Sequence, residues 1–176
     1  MKKYEFTGET MEKFGVTFRR IRALKEIEQG NNVIARKGET GGWIAEEKNL
    51  AQDDDAWVYG DALVYGNARV SGDARVYGNA RVYGNARVYG DAWVYGDAQI
   101  IKPTDILTVG PIGSRDATTT FFRDKSGGIS VVCGCFIGTL DEFAEKVTAT
   151  HGDNKHAKAY RAAVELAKVQ MEEGQK

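Results

Sequence analysis

Cysteine, proline, histidine and methionine are all scarce in this chain: its 176 residues hold two, two, two and three of them. The two cysteines, Cys133 and Cys135, have one glycine between them, too close for an unstrained mutual disulfide, so no disulfide framework is expected. A surplus of charge is also lacking. Lys and Arg number 24 against 25 Asp and Glu, a net charge of -1, so no global field marks a nucleic-acid or membrane binder and any basic footprint is local. No run approaches the ~18 apolar residues of a membrane span. The opening MKKYEFTGETMEKF has no apolar core of a signal peptide, and with the free thiols it points to a reducing cytoplasm.

What is present in excess is glycine, 21 residues, and it is periodic. Residues 56–99 read AWVYGD, ALVYGN, ARVSGD, ARVYGN, ARVYGN, ARVYGD, AWVYGD, AQ. A fixed period is the first signal to read, because it fixes an architecture. Six residues with a glycine and a β-branched valine in every phrase do not suit an α-helix. They suit a two- or three-residue strand and a tight corner, three per coil. Strand alternation turns the valine inward and its neighbours outward. Glycine and Asp or Asn tolerate the positive φ that the corner demands, and the alanine fits inside it. Val58, Val64, Val70, Val76, Val82, Val88 and Val94 then stack as a core, each worth ~1.5–3 kcal/mol on burial.

The beat extends to Ile100, Ile106 and Ile112, with Pro103 at a corner and Thr104 in an alanine slot. Backwards it reaches Ile44 and Leu50, but Leu50 to Val58 is two residues too long. The excess reads as a corner bulge near Asp53–Asp55, an acidic run expected to be solvated. Residues 44–113 are thus a β-helix of roughly three to four coils. Residues 1–43, with strand-like KYEF, VTFRRIRAL and NVIA ending in a turn GETGGWI, form an N-terminal β cap over its exposed edge. Residues 114–176 form an α+β module. TTTFFR and ISVVCGCFI make a hairpin around DKSGG, and Thr139-Leu-Asp-Glu142 caps a first helix. After HGDN, a second runs to about Glu173 with Tyr160, Val164, Ala167 and Met171 on one face.

The aliphatic, Asn/Asp and alanine positions resemble the hexapeptide-repeat family. That resemblance implies a left-handed parallel β-helix and a homotrimer. Tyrosine in the position after the valine departs from the pattern, since the family often has a small residue there. KYEFTGET, GGWI and the CGCF-GTLDEF-THGDNKHA stretch resemble modules of uncharacterised bacteriophage and prophage hexapeptide-repeat proteins. Many family members are acyltransferases with a histidine base on the coil. Here both histidines, His151 and His156, lie outside the repeats and no long loop interrupts them, so no catalytic residue is assigned.

Residues eighteen apart stack on three outer faces. One carries Trp57, Arg75 and Trp93 beside Tyr59, Tyr77 and Tyr95. A second carries Leu63, Arg81 and Gln99 beside Tyr65, Tyr83 and Ile101. The third carries Arg69 and Arg87 beside Ser71 and Tyr89. Guanidinium pairs with phosphate and aromatic rings stack on bases, so Arg69, Arg75, Arg81, Arg87, Tyr77, Tyr83, Tyr89 and Trp93 are the candidate ligand-binding residues. The same ladders also read, and more simply, as copies made by duplication that only cover the sheet through cation–π contacts. Cys133 and Cys135, on one side of a strand, could join His151 and His156 around zinc, but buried cysteine and a hydrogen-bonding turn histidine fit the spacing better. No metal or cofactor is assigned. The expectation is a non-enzymatic, homotrimeric binding protein of phage type, acting in counter-defence in the host cytoplasm. It holds a small anionic, nucleotide-like ligand in clefts between protomers. The alternatives are an inhibitor of a host protein such as a defence nuclease, and an acyltransferase.

Overall fold

In the computed structural model, which describes residues 2–171, strands two residues long recur every sixth residue through the repeat region. They are β6 (Trp57–Val58), β7 (Leu63–Val64), β8 (Arg69–Val70), β9 (Arg75–Val76), β10 (Arg81–Val82), β11 (Arg87–Val88), β12 (Trp93–Val94) and β13 (Gln99–Ile100). Each pairs in parallel with the strand three positions on, so Trp57 meets Arg75 and Trp93 on a first face. Leu63 meets Arg81 and Gln99 on a second, and Arg69 meets Arg87 on a third. The protein is a β-solenoid of about three coils. Every repeat valine is fully buried, with the corner alanines beside it. The corner glycines adopt φ of +55° to +77°, a region open to glycine and costly for other residues.

Upstream, β1 (Tyr4–Lys13) and β2 (Val16–Ala23) form an antiparallel hairpin, followed by β3 (Ile27–Gln29), β4 (Asn32–Ala35) and β5 (Thr40–Ile44). The GGWI segment is a strand rather than the expected turn. β5 pairs antiparallel with β2 and parallel with β7, so it welds the cap to the second face. Gly41 and Gly42 allow this. A Cβ on Gly41 would lie 2.6 Å from Val58 O, and one on Gly42 2.7 Å from Val58 Cγ1.

The bulge before Val58 is built, not merely solvated. Asp54 Oδ2 accepts from Gly72 N at 2.6 Å and Oδ1 from Ala56 N at 3.2 Å. The fully buried Lys3 donates its ammonium to Asp54 Oδ1 at 2.8 Å, to Asp54 O at 3.0 Å and to Ala56 O at 2.7 Å. Burial lowers the Lys3 pKa, opposed by Asp54. A lysine in an apolar setting stays charged only with such partners. Tyr4 joins it, donating its hydroxyl to Leu50 O at 2.9 Å.

The parallel ladder stops at Ile100, earlier than the period suggests. A 3₁₀ turn, Pro103–Asp105, intervenes, and β14 (Ile106–Ile112) runs antiparallel to β15 (Ala117–Arg123). Ile106 still packs in the solenoid core, whereas Ile112 is half-buried against a second core, so the valine beat does not include it. β15 continues through β16 (Ile129–Cys133) to β17 (Phe136–Thr139), and Phe122 and Val132 plug the lower end of the solenoid.

Helix α1 (Leu140–His151) begins at the expected capping box, with Glu142 N donating to Thr139 Oγ1 and Thr139 N to Glu142 Oε2. Helix α2 (Lys155–Met171) buries Tyr160, Val164, Ala167 and Met171; the expected continuation to Glu173 lies outside the described residues. Gly134, at φ +61°, turns the chain between the two cysteines. They do not share a side as expected: Cys133 is buried, and Cys135 is exposed.

Candidate functional site

The eight candidate residues fall on three faces, and the attached modules treat those faces differently. On the first face Trp57 is wholly buried beneath the N-terminal cap, 6.4 Å from the Tyr4 ring. Arg75 lies 4.4 Å over the half-buried Trp93 ring and donates from Nε to Gln29 Oε1 at 2.5 Å. Its guanidinium is thus engaged by a cation–π contact and an amide. Tyr59, Tyr77 and Tyr95 run alongside, the first pair edge-to-face and the second tilted, with centroids 6.1 and 4.6 Å apart. Burial pushes the Tyr59 hydroxyl up to about 12, and the hydroxyl donates to Ile34 O. A cleft of 360 Å³ opens below Arg75, between Gln29 and the turn at Asp116, and Asp73, Asp91 and Asp116 line it. Asp73 has its pKa raised, first by burial and then by Asp91 and Asp55. The three carboxylates that line the cleft disfavour an anion there.

On the second face the β1–β2 hairpin tip folds over the ladder. Phe14, at φ +56°, sits 5.1 Å from the Arg81 guanidinium and stacks on Tyr65. Tyr65 and Tyr83 lie parallel at 4.9 Å, and Gln99 Nε2 donates to the Tyr83 hydroxyl at 2.6 Å. Arg81 is therefore shielded by a ring.

The third face is left bare. Arg69 and Arg87 are exposed neighbours on adjacent coils and make no side-chain hydrogen bond or ion pair among the described residues. Tyr89 beside them is 63% exposed. Below Arg87 and Tyr89 lies a groove of 400 Å³, whose far wall is Pro103, Thr104, Leu107 and Thr108, with Gln170 of α2 at its end. Among the described residues no carboxylate lines it. Asp105, although adjacent in sequence, is buried; its Oδ2 accepts from Ile101 N and Lys102 N, and its Oδ1 lies 3.6 Å from Arg123 Nε. This groove combines a free cation, a free aromatic ring and hydroxyls. The periodicity points to Arg87 and Tyr89 but gives no sign of the opposite wall, which comes from segments outside the repeat.

The C-terminal module gathers different chemistry. Cys133 lies 3.6 Å from the Tyr160 hydroxyl and 3.3 Å from Thr119 Oγ1. Burial and the thiol raise the Tyr160 pKa to about 12. His151 and His156 stand 5.8 Å apart by ring centroids. No group of three or more His, Cys, Asp or Glu side chains placed to hold a metal ion occurs among the described residues. No helix there is long and apolar enough to cross a membrane.

Residues 56–72, 68–81, 74–86 and 80–96 match the YdcK beta solenoid repeat family model. These overlapping windows cover β6 to β12 and coincide with the regular coils. No curated protein matches the chain. The chain is a β-solenoid repeat protein with an added cap at each end.

Proposed function

We propose that this β-solenoid is a non-enzymatic binding protein that holds a small anionic, nucleotide-like ligand on its third face, with Arg69 and Arg87 pairing its phosphate and Tyr89 stacking on its aromatic part. We take the coil to be left-handed and the assembly to be a homotrimer, as the hexapeptide-repeat resemblance implies, so that a neighbouring protomer closes the cleft. Sequestration of a nucleotide signal in counter-defence is the role this reading assigns. The observation that carries it is the contrast between faces: Arg75 and Arg81 are half-buried and each rests against an aromatic ring, whereas Arg69, Arg87 and Tyr89 are exposed beside a groove that no carboxylate lines among the described residues.

Native mass spectrometry of protein purified gently from cells, followed by titration with adenosine diphosphate, tests this. The expected result is a trimer that binds the nucleotide. Arg69→Ala and Arg87→Ala should each weaken binding by ~10-fold or more, the scale of a charge-assisted contact. Arg75→Ala and Arg81→Ala should leave binding within ~2-fold, since surface changes remote from a site are near neutral. Equal losses on all three faces, or none, would refute the third-face assignment.

A second reading, an inhibitor that docks on a protein, draws on Leu166 and Val169, which are 50% and 70% exposed one turn apart on α2. In that case Val169→Asp, and not the arginine changes, should abolish the protein's effect on its target.

A further inference from the structure

The backbone ladder of the solenoid keeps one register down its length. The residue after each core valine donates its amide to a core carbonyl in the next coil. Tyr59 donates to Val76, Tyr65 to Val82, Ser71 to Val88, Tyr77 to Val94 and Tyr83 to Ile100, all at 2.8–3.0 Å. Tyr89 comes next, and the register assigns it Ile106 O. That carbonyl accepts from a side chain instead. Gln170 Nε2 reaches in from α2 and donates to it at 3.0 Å, while Ile106 turns away to open β14. Among the described residues the Tyr89 amide finds no acceptor. Along the same lower edge Trp93 N donates to Thr120 Oγ1 at 3.0 Å and Ile101 N to Asp105 Oδ2 at 2.9 Å, while the Asp91 and Tyr95 amides, like that of Tyr89, find no acceptor among the described residues. The break coincides with the groove under Arg87 and Tyr89.

An unpaired amide away from water is costly, and most such groups have a partner. Here Tyr89, Arg87, Thr104 and Thr108 all line one groove, with no carboxylate in its lining among the described residues. A strand edge that offers an N–H beside a guanidinium is a site for a doubly or triply oxygenated anion. The ring of the same tyrosine supplies a stacking surface for a base.

We propose that this break in the ladder is the seat of the phosphoryl group of a nucleotide, held by the Tyr89 amide and the Arg87 guanidinium, and that Gln170 keeps the seat open by tying the Ile106 carbonyl to α2. The proposal rests on the third-face reading above and adds to it a backbone donor and a positioning residue. Gln170 acts through Ile106 and touches no ligand in this account.

Single-residue amide exchange by NMR on the whole protein separates the two claims. Without ligand, the Tyr89 amide should exchange ~100-fold faster than that of Tyr83, which is paired. In Gln170→Ala the freed Ile106 carbonyl should slow Tyr89 exchange by ~5-fold or more, the worth of one ordinary hydrogen bond. Gln170→Lys, which keeps a donor, should leave it fast and controls for damage to α2. Adenosine diphosphate should move the Tyr89 amide resonance and bind Gln170→Ala at least ~5-fold more weakly. A Tyr89 amide as protected as that of Tyr83 in the ligand-free protein would overturn the open seat, whatever binds. Binding that needs Arg69 and Arg87 yet leaves the Tyr89 resonance unmoved would overturn the seat and keep the third-face reading. An open Tyr89 amide with no binding of adenosine diphosphate or inorganic phosphate would overturn both.

Discussion

At the scale of single residues, the largest departures from the repeat lie where distant segments meet it. Lys3 shows this best. Its ammonium closes three acceptors at the first corner, with no exposed surface of its own. Lys3→Met should therefore cost ~2–3 kcal/mol in urea unfolding, because Asp54 keeps a partly buried charge without its partner. Lys3→Met combined with Asp54→Asn should cost less than the sum of the two single changes. Glycine offers a second, graded test. Gly78, at φ +77°, has Gly96 N 2.9 Å from where a Cβ would sit, whereas Gly96, at φ +65°, has nothing within 4 Å. Alanine at Gly96 should cost ~1–2 kcal/mol from backbone strain alone, and at Gly78 clearly more, since the neighbouring coil must also shift. Equal melting temperatures for the two variants would remove the close-approach argument.

At the scale of elements, the period made the coils, the corner glycines and the inward valines readable before any coordinates. The Thr139–Glu142 capping box was equally plain, because both rest on local spacing. Fates decided by non-local packing were not readable. Trp57 occupies an outward position and is nonetheless buried, because Tyr4 and the chain around Gly41 close over it. Ile112 keeps the beat by number and leaves it in space, because Pro103–Asp105 redirects the strand. Of the candidate site, three residues share an open face, and nothing in the phrase ARVYGN marks which copies a distant hairpin will cover. The coils themselves should behave as modules. Duplicating residues 74–91 inserts one whole coil and should preserve the circular dichroism spectrum and cooperative melting. Duplicating residues 74–90 breaks the register and should give an aggregating or partly unfolded product.

At the scale of the whole molecule, the two caps and the solenoid form two contiguous cores that share Phe121–Phe122 as neighbours on β15. Tyrosines packed into each core set the alkaline limit. Tyr4, Tyr59 and Tyr160 all have hydroxyls whose pKa is raised by burial, the latter two to about 12. Unfolded tyrosine ionises near 10, so between pH 10 and about 12 the folded state binds more protons than the unfolded one. Stability should fall as pH rises through that window. Lys3 acts with the opposite sign: its lowered pKa means that the unfolded chain binds more protons below 10.5, so its contribution rises with pH up to that value. Three tyrosines against one lysine predict a net loss above pH 10, visible as a falling urea midpoint. A midpoint that stays level to pH 12 would show that these hydroxyls titrate normally.

The lysine plug also has a history written into it. Lys3 cannot find its acceptors until Ala56, 53 residues later, has been made. At ~5–20 residues per second, synthesis leaves the N-terminal segment without its seat for about 3–10 s. The upper end of the solenoid is sealed by Lys3 only after the first corner exists to receive it.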